Sequence, residues 1–439
     1  MPPLTQIARR LVPVFGLMGA RLAGAGFGLI SQILLTWTFT AHDVGLALLA
    51  IAITTLASLL LTAGYQALTL TQLSRYVSMG RDGLTGALHR VARNDVALAS
   101  AVLVAGATAA YLIVPFPPHV GEVVLYGCLA AVPLAFMRLA TSAATANRRF
   151  SLSYLPELVM RPLALLVLLG AILVFGLERE LNHLLIALVA LTVAIAVYQV
   201  AALGPDSGFA RRWRAPARDL RPYFRGRAGA LLIVAIVTQC MAELVVMVSS
   251  LFFPPDQVAV VGVAIRLAAL VGFIGTAAQS FAIRDLSNAM AAGQPEAVRA
   301  VLMHTNLSTL LTMAAAVLAA ALFGEQLLGV FGEAYVAGYW LLLIFMVGQT
   351  CRIFGGMNGY LLALGGHQMS SAWASLVAVG VFVALACLLA PAIGLVGMAL
   401  AALGAEIVWA MGLAIMAQRL NGRRGDIFSL FAPLREARA

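Results

Sequence analysis

About twelve apolar runs follow one another through the chain, each near the length that crosses a bilayer, with short polar breaks between them. A transmembrane helix needs about 20 such residues to cross the hydrocarbon core. In the first half the runs cover 12–38, 44–72, 94–115, 121–143, 153–177 and 181–203. In the second they cover 228–253, 257–283, 301–324, 335–364, 370–390 and 393–418. A water-soluble fold could not hide this much apolar surface. The chain is 62% hydrophobic and 10% charged, against roughly 45–50% and 25% in soluble domains. The expected fold class is an all-α integral membrane protein with about twelve transmembrane helices in two bundles of six.

The polar breaks carry the next constraint. With the N-terminus placed in the cytoplasm, one set of loops holds Arg75, Arg81, Arg90, Arg93, Arg148, Arg149, Arg284 and Arg299. The other set holds Asp43, Glu122, Glu178, Glu180, Asp256, Glu325 and Glu333, with Arg179 its only cation. Basic residues bias toward the cytoplasmic side during insertion, and a single miscounted span would scramble this asymmetry. The expected topology therefore has both termini on the cytoplasmic side of the membrane. Between the halves, 204–227 reads GPDSGFARRWRAPARDLRPYFRGR, with seven arginines against two aspartates. The expected organisation is a first half at 1–203, this basic cytoplasmic linker at 204–227, a second half at 228–420 and a tail at 421–439.

The halves also look related. Asp43, Gln66, Leu73, Ser74 and Gly80 match Asp256, Gln279, Leu286, Ser287 and Gly293, each pair offset by 213 positions. Six spans per half give the two repeats the same orientation, and a substrate path usually lies where such repeats meet.

Several function classes are excluded. All 28 basic residues are arginine. A phosphate-binding Walker A loop needs a lysine, and so does Schiff-base chemistry. The chain by itself is therefore not an ATP-driven pump. The net charge of +10 fits the anionic inner face of a membrane better than nucleic acid, because the charges cluster in loops between apolar spans. Cys128, Cys240, Cys351 and Cys387 lie far apart inside apolar spans, which reads as buried thiols rather than a disulfide or zinc framework. The six histidines show no metal spacing, and no cofactor is called for. Arg9 and Arg10 precede an apolar run in the manner of a signal peptide, but Arg21 interrupts that run and it continues to Phe39. An uncleaved first span is expected. The short loops on the acidic side leave no room for the outer domain of a membrane glycan transferase or polymerase.

Charges inside the spans carry the candidate chemistry. Arg21, Arg138, Arg161, Arg266 and Arg352 fall there, with Glu157, Glu243 and Glu406. An ionised group at mid-bilayer costs about 2.5–3.5 kcal/mol on insertion scales, so such groups face a bundle interior or a watery cavity. Arg138, near a span end, is expected to snorkel to the interface. Glu157 and Arg161 are four apart and share a helix face, between Pro156 and Pro162, which invite a bend. Arg21, Arg266 and Arg352 have no acid beside them on their own helices. Either Glu243 and Glu406 pair with them, or they serve a bound anion, for which the guanidinium fork suits phosphate oxygens. Glu243, Glu406 and Glu157 are also candidates for ion coupling.

At 323–368 the chain reads FGEQLLGVFGEAYVAGYWLLLIFMVGQTCRIFGGMNGYLLALGGHQ. The FGE start, the Gly-x-Asn-Gly-Tyr of Gly356 to Tyr360 and the turn Gly365-Gly366-His367-Gln368 resemble the polysaccharide-export branch of the MOP exporter superfamily, the Wzx-type flippases. The later PAIGLVGMALA from Pro391, and Asn147-Arg148-Arg149-Phe150 followed by Pro156 and Arg161-Pro162, are similar to the same family. The resemblance implies a MATE-like MOP fold of two six-helix bundles around a central cavity, working by alternating access. It implies a non-enzymatic flippase that moves a lipid-linked oligosaccharide, often on undecaprenyl diphosphate, from inner to outer leaflet. Membrane lipids are then partners, with a glycan polymerase or glycosyltransferases. Glu243 stands where the family often has an aspartate. The residues assigned to substrate are Arg21, Arg161, Arg266, Arg352, Gln66, Gln279 and Asn358. The alternatives are a drug or cation antiporter of the same fold and a membrane glycan transferase or polymerase.

Overall fold

A computed structural model describes residues 4–73, 76, 79–80, 82–176, 178–204 and 220–427. The side chains of Arg21 and Arg284, and the linker segment 205–219, lie outside the described residues. The elements run α1 (Leu4–Thr38), α2 (Ala41–Thr62), α3 (Tyr65–Leu68), a π turn (Thr69–Leu73), α4 (Asp82–Ile113), α5 (Val120–Ala146), α6 (Phe150–Leu155), a second π turn (Pro156–Met160), α7 (Arg161–Phe175) and α8 (Leu181–Leu203). They continue α9 (Arg221–Ser249), α10 (Pro255–Ala291), α11 (Pro295–Gly329), α12 (Glu333–Val336), α13 (Tyr339–Leu364) and α14 (Gln368–Asn421).

Among the described residues nine helical stretches are long and apolar enough to cross a membrane, and Leu22–Thr38 and Gln239–Ser249 are shorter apolar ones. The 54-residue α14 contains two crossings. Its backbone leaves helical values at Ile393 (φ −131, ψ 19) and at Gly394 (φ 63, ψ −142), a conformation only glycine adopts without strain. The two arms then run antiparallel. Gly397 packs on Leu389, Gly404 on Leu385 and Gly412 on Ala374, and Trp409 Nε1 donates to Ser375 Oγ at 3.0 Å. Absent side chains let helix backbones approach closely in lipid. With this hairpin, the described helices account for the twelve expected spans.

The chain divides into two compact units at Ile236–Val237. In the first, α2, α3, α4, α5 and the start of α9 share one core of Leu61, Tyr65, Leu88, Ala135, Leu139, Phe224 and Ala228. Alanine dominates the α5 face of that core, so its neighbours pack near the backbone. In the second, Leu286, Val298, Leu302, Met357 and Leu361 join α10, α11 and α13, while Leu362, Ala378, Trp409 and Leu413 join α13 to the α14 hairpin. Large apolar side chains such as Leu112, Val174, Phe175 and Leu251 are more than three-quarters exposed. In water that would be an aggregation hazard; in a bilayer it is the solvated surface.

Three pairs of the sequence repeat occupy equivalent places in their units, whereas Gln66 lies in the short α3 and Gln279 inside the long α10. Asp43 and Asp256 lie in the first turns of α2 and α10. Leu73 and Leu286 are fully buried. Gly80 and Gly293 both take left-handed backbone, at φ 62 and 63. Ser74 lies outside the described residues.

Candidate functional site

Among the described residues each unit holds one ion pair of intramembrane charges. In the second unit, Arg352 of α13 donates from Nη1 to Glu406 Oε1 of α14 at 2.8 Å, and its guanidinium lies 5.5 Å from the centre of the Trp409 ring. Both partners are largely buried, at 16% and 7% side-chain exposure. Glu406 Oε2 has no hydrogen-bond partner among the described residues. Glu406 and Gln349 form the polar wall of a cavity of ≈ 20 Å³, otherwise lined by apolar groups including Met241, Val245, Ile265 and Phe345. That is room for about one water.

Arg266 differs. It is half-buried on α10, and its Nη1 is shielded from water with no hydrogen-bond partner among the described residues. Glu243 of α9 acts on it electrostatically, but no ion pair or hydrogen bond joins them. A buried guanidinium nitrogen left unpaired is costly, and among the described membrane arginines Arg266 is the one with a shielded nitrogen that lacks a hydrogen-bond partner.

In the first unit, Arg138 is buried rather than snorkelling as its position near a span end suggested. Its Nε donates to Glu157 Oε1 at 3.4 Å and its Nη1 to the Thr55 carbonyl at 3.4 Å. Glu157 therefore meets an arginine of another helix, not Arg161 on its own face. Arg138 of α5 reaches the Glu157 carboxylate from the packed neighbouring helix, at a π turn over residues 156–160 that opens into α7 at Arg161. Packing covers the turn, since Gly24 of α1 lies against the Leu158 carbonyl, where a Cβ would stand 1.9 Å from the oxygen. Ser31 Oγ of α1 also donates to the Pro162 carbonyl at 3.0 Å.

The amides fall into three situations. Gln279 is buried, and its Nε2 donates to the Ile353 carbonyl, joining α10 to α13. Gln66 Oε1 is buried without a partner, while its carbonyl accepts from Ser142 Oγ at 3.0 Å. Asn358 is fully buried and holds the chain that follows α14, so its side-chain groups are committed to protein. The Arg21 assignment falls on a side chain outside the described residues. Of the thiols, Cys128 and Cys240 are buried, Cys351 is half-buried and Cys387 is exposed; the expectation of four buried thiols fails where an apolar span turns a face outward.

One cluster had no sequence signal. Asp95 of α4 accepts from Arg225 Nε and Nη2 at 2.8 and 2.6 Å and from the Tyr65 hydroxyl at 2.7 Å. Hydrogen bonding to that carboxylate raises the Arg225 pKa above its ordinary value. Phe224 and Ala228 are buried beside it, and Gly64 lies where any Cβ would strike the Ala228 carbonyl at 1.9 Å. The first turns of α9 are thereby fixed to the first unit.

No protein-family model matches the sequence, and neither does any curated protein. Solved structures share the fold. A multidrug resistance MATE family transporter of the MOP superfamily, inward-facing, aligns over 90% of this chain and 94% of its own, at TM-score 0.73 and 15% identity. The lipid II flippase MurJ in an inward closed conformation aligns over 92% and 87%, at TM-score 0.71 and 13% identity. A mutant of the Vibrio cholerae MATE transporter VcmN aligns over 93% and 98%, at TM-score 0.59 and 13% identity. The chain has the MATE-like fold of MOP transporters, an all-α architecture of membrane-spanning helices.

Proposed function

We propose that the chain is a non-enzymatic flippase that carries a lipid-diphosphate-linked oligosaccharide from the inner to the outer leaflet of a bacterial plasma membrane, by alternating access, for cell-surface polysaccharide export. The fold alone does not choose a cargo, since proteins described as multidrug transporters and as a lipid II flippase share it. The observation that carries the choice is Arg266. A shielded guanidinium nitrogen with no hydrogen-bond partner among the described residues attracts an anion and repels the cations an antiporter would extrude. Arg352 and Arg161 join it in this reading as secondary contacts, Arg352 only when it leaves Glu406. Glu406, with one oxygen unpartnered beside a water-sized cavity, is the better-placed proton carrier; Glu243 and Glu157 are the others.

The test is binding by the purified chain in lipid nanodiscs, with undecaprenyl diphosphate as one probe and a lipophilic cation as the other. A charge-assisted hydrogen bond contributes about 1.5–3 kcal/mol. Arg266→Gln should therefore weaken diphosphate binding roughly ten- to a hundredfold. Arg266→Lys keeps the charge without the fork and should restore only part of it. Tight binding of the cation together with indifference to the diphosphate would leave the antiporter reading in its place.

A further inference from the structure

The chain does not simply run into solvent after its last helix. Gly422, at φ 67, ends α14, and the next residues turn back into the second unit, where Gly425 and Asp426 are buried. The peptide groups of Gly425 are held from two different helices. Its N–H donates to Asn358 Oδ1 of α13 at 2.6 Å. Its carbonyl accepts from Asn306 Nδ2 of α11 at 2.9 Å. Both asparagines are essentially fully buried. A tail lying loosely on a surface needs neither two sequestered amides nor a fitted residue, and Gly425 is fitted: a Cβ there would stand 2.8 Å from Leu361 Cδ1 and 3.1 Å from the Met357 carbonyl.

Asp426 completes the contact. Its Oδ2 accepts from Arg424 Nη2 at 2.8 Å and more weakly from Asn358 Nδ2 at 3.3 Å. Its Oδ1 is buried with no partner. Opening the segment returns that oxygen to water, which favours release; the amide clamp on Gly425 favours closure. The two tendencies oppose each other within six residues.

We propose that Gly422–Ile427 is a latch seated in a peptide-binding cleft between the C-terminal end of α13 and the N-terminal part of α11. One residue bonded from both helices fits only one spacing between them. Any movement that separates Asn306 from Asn358 breaks at least one bond to Gly425, so a seated latch holds the second unit in the spacing seen here and must open before these helices move apart. The inference rests on hydrogen bonds and fit alone and does not depend on what the protein carries.

Hydrogen–deuterium exchange of the full chain in lipid nanodiscs tests it without a ligand. In the wild type, 422–427 should be protected and should exchange together with the facing turns, 295–306 and 357–364. Gly425→Val cannot be seated, and losing both clamp bonds should speed exchange in all three segments by roughly tenfold. Helix α12, at Glu333–Val336, should be unchanged. Asn306→Ala removes one bond with no steric burden, and should move the same three segments by a smaller factor even if the valine variant fails to accumulate. Acceleration confined to 422–427 would mean that the tail follows the helices without latching them, and exchange of 422–427 at the rate of an unprotected peptide in the wild type would mean that it is not shut. Either result overturns the proposal.

Discussion

Arg352 and Glu406 show how one buried charge constrains another. Removing a single partner of a buried pair strands the other, at a cost of about 3–5 kcal/mol. Arg352→Gln should therefore lower protein abundance and melting temperature sharply. The double variant Arg352→Gln with Glu406→Gln should recover much of both, because no charge remains unpaired. Arg266→Gln should leave abundance unchanged, since no partner is stranded in a bond. Immunoblot abundance and thermal melts of the purified variants separate the cases. Equal abundance of Arg352→Gln and wild type would show that the 2.8 Å contact contributes little to the fold. At this scale the sequence marks which residues are costly in a membrane, but pairing depends on which other helices pack alongside, 19 positions away for Arg138 and Glu157 and 130 for Asp95 and Arg225.

The π turn at Pro156–Met160 is where element and residue meet. Sequence places two prolines around Glu157 and so signals an irregular helix. It does not reveal that the turn is covered by α1 through Gly24. Substituting Gly24 by Ala forces a Cβ into the Leu158 carbonyl, and overpacking of this kind costs about 1–3 kcal/mol. Gly28, one turn along the same helix, has nothing within 4 Å of the equivalent position. Gly28→Ala should be neutral or stabilising by up to about 1 kcal/mol, since alanine is the better helix former. Thermal melts of the two variants provide the comparison; equal destabilisation would indicate that α1 does not seat on the turn as described.

For the whole molecule, the charge pattern of the loops predicts an orientation that labelling can read. Cysteines replacing Asp43, Glu178 or Glu333 should react with an impermeant thiol reagent applied from outside. Cysteines at Asp82 or Ser207 should be protected until the membrane is opened. External labelling at position 207 would discard the expected two-half topology, because basic residues bias such a linker toward the cytoplasmic side. Energy use is a second molecular property. With no lysine to form a Walker A loop, translocation in proteoliposomes should proceed without ATP, driven by an ion gradient or the membrane potential. A strict ATP requirement of the purified chain would contradict it.

What the sequence determined by itself was the solvent, the helices and their number. Apolar runs of spanning length require helices in lipid, and no alternative packing of 62% hydrophobic residues is soluble. The repeat at a spacing of 213 positions was also legible, because residues such as Asp43 and Asp256 both lie in the first turn of a helix. Tertiary structure alone decided how polar side chains are spent. Asn358 belongs to a motif suggestive of a ligand site, yet it binds the Gly425 peptide across 67 positions of sequence. Gln279 likewise ties two helices together. A buried amide or guanidinium is satisfied by whichever group the fold brings within about 3 Å, and that distance is set by helix packing, which no local pattern encodes.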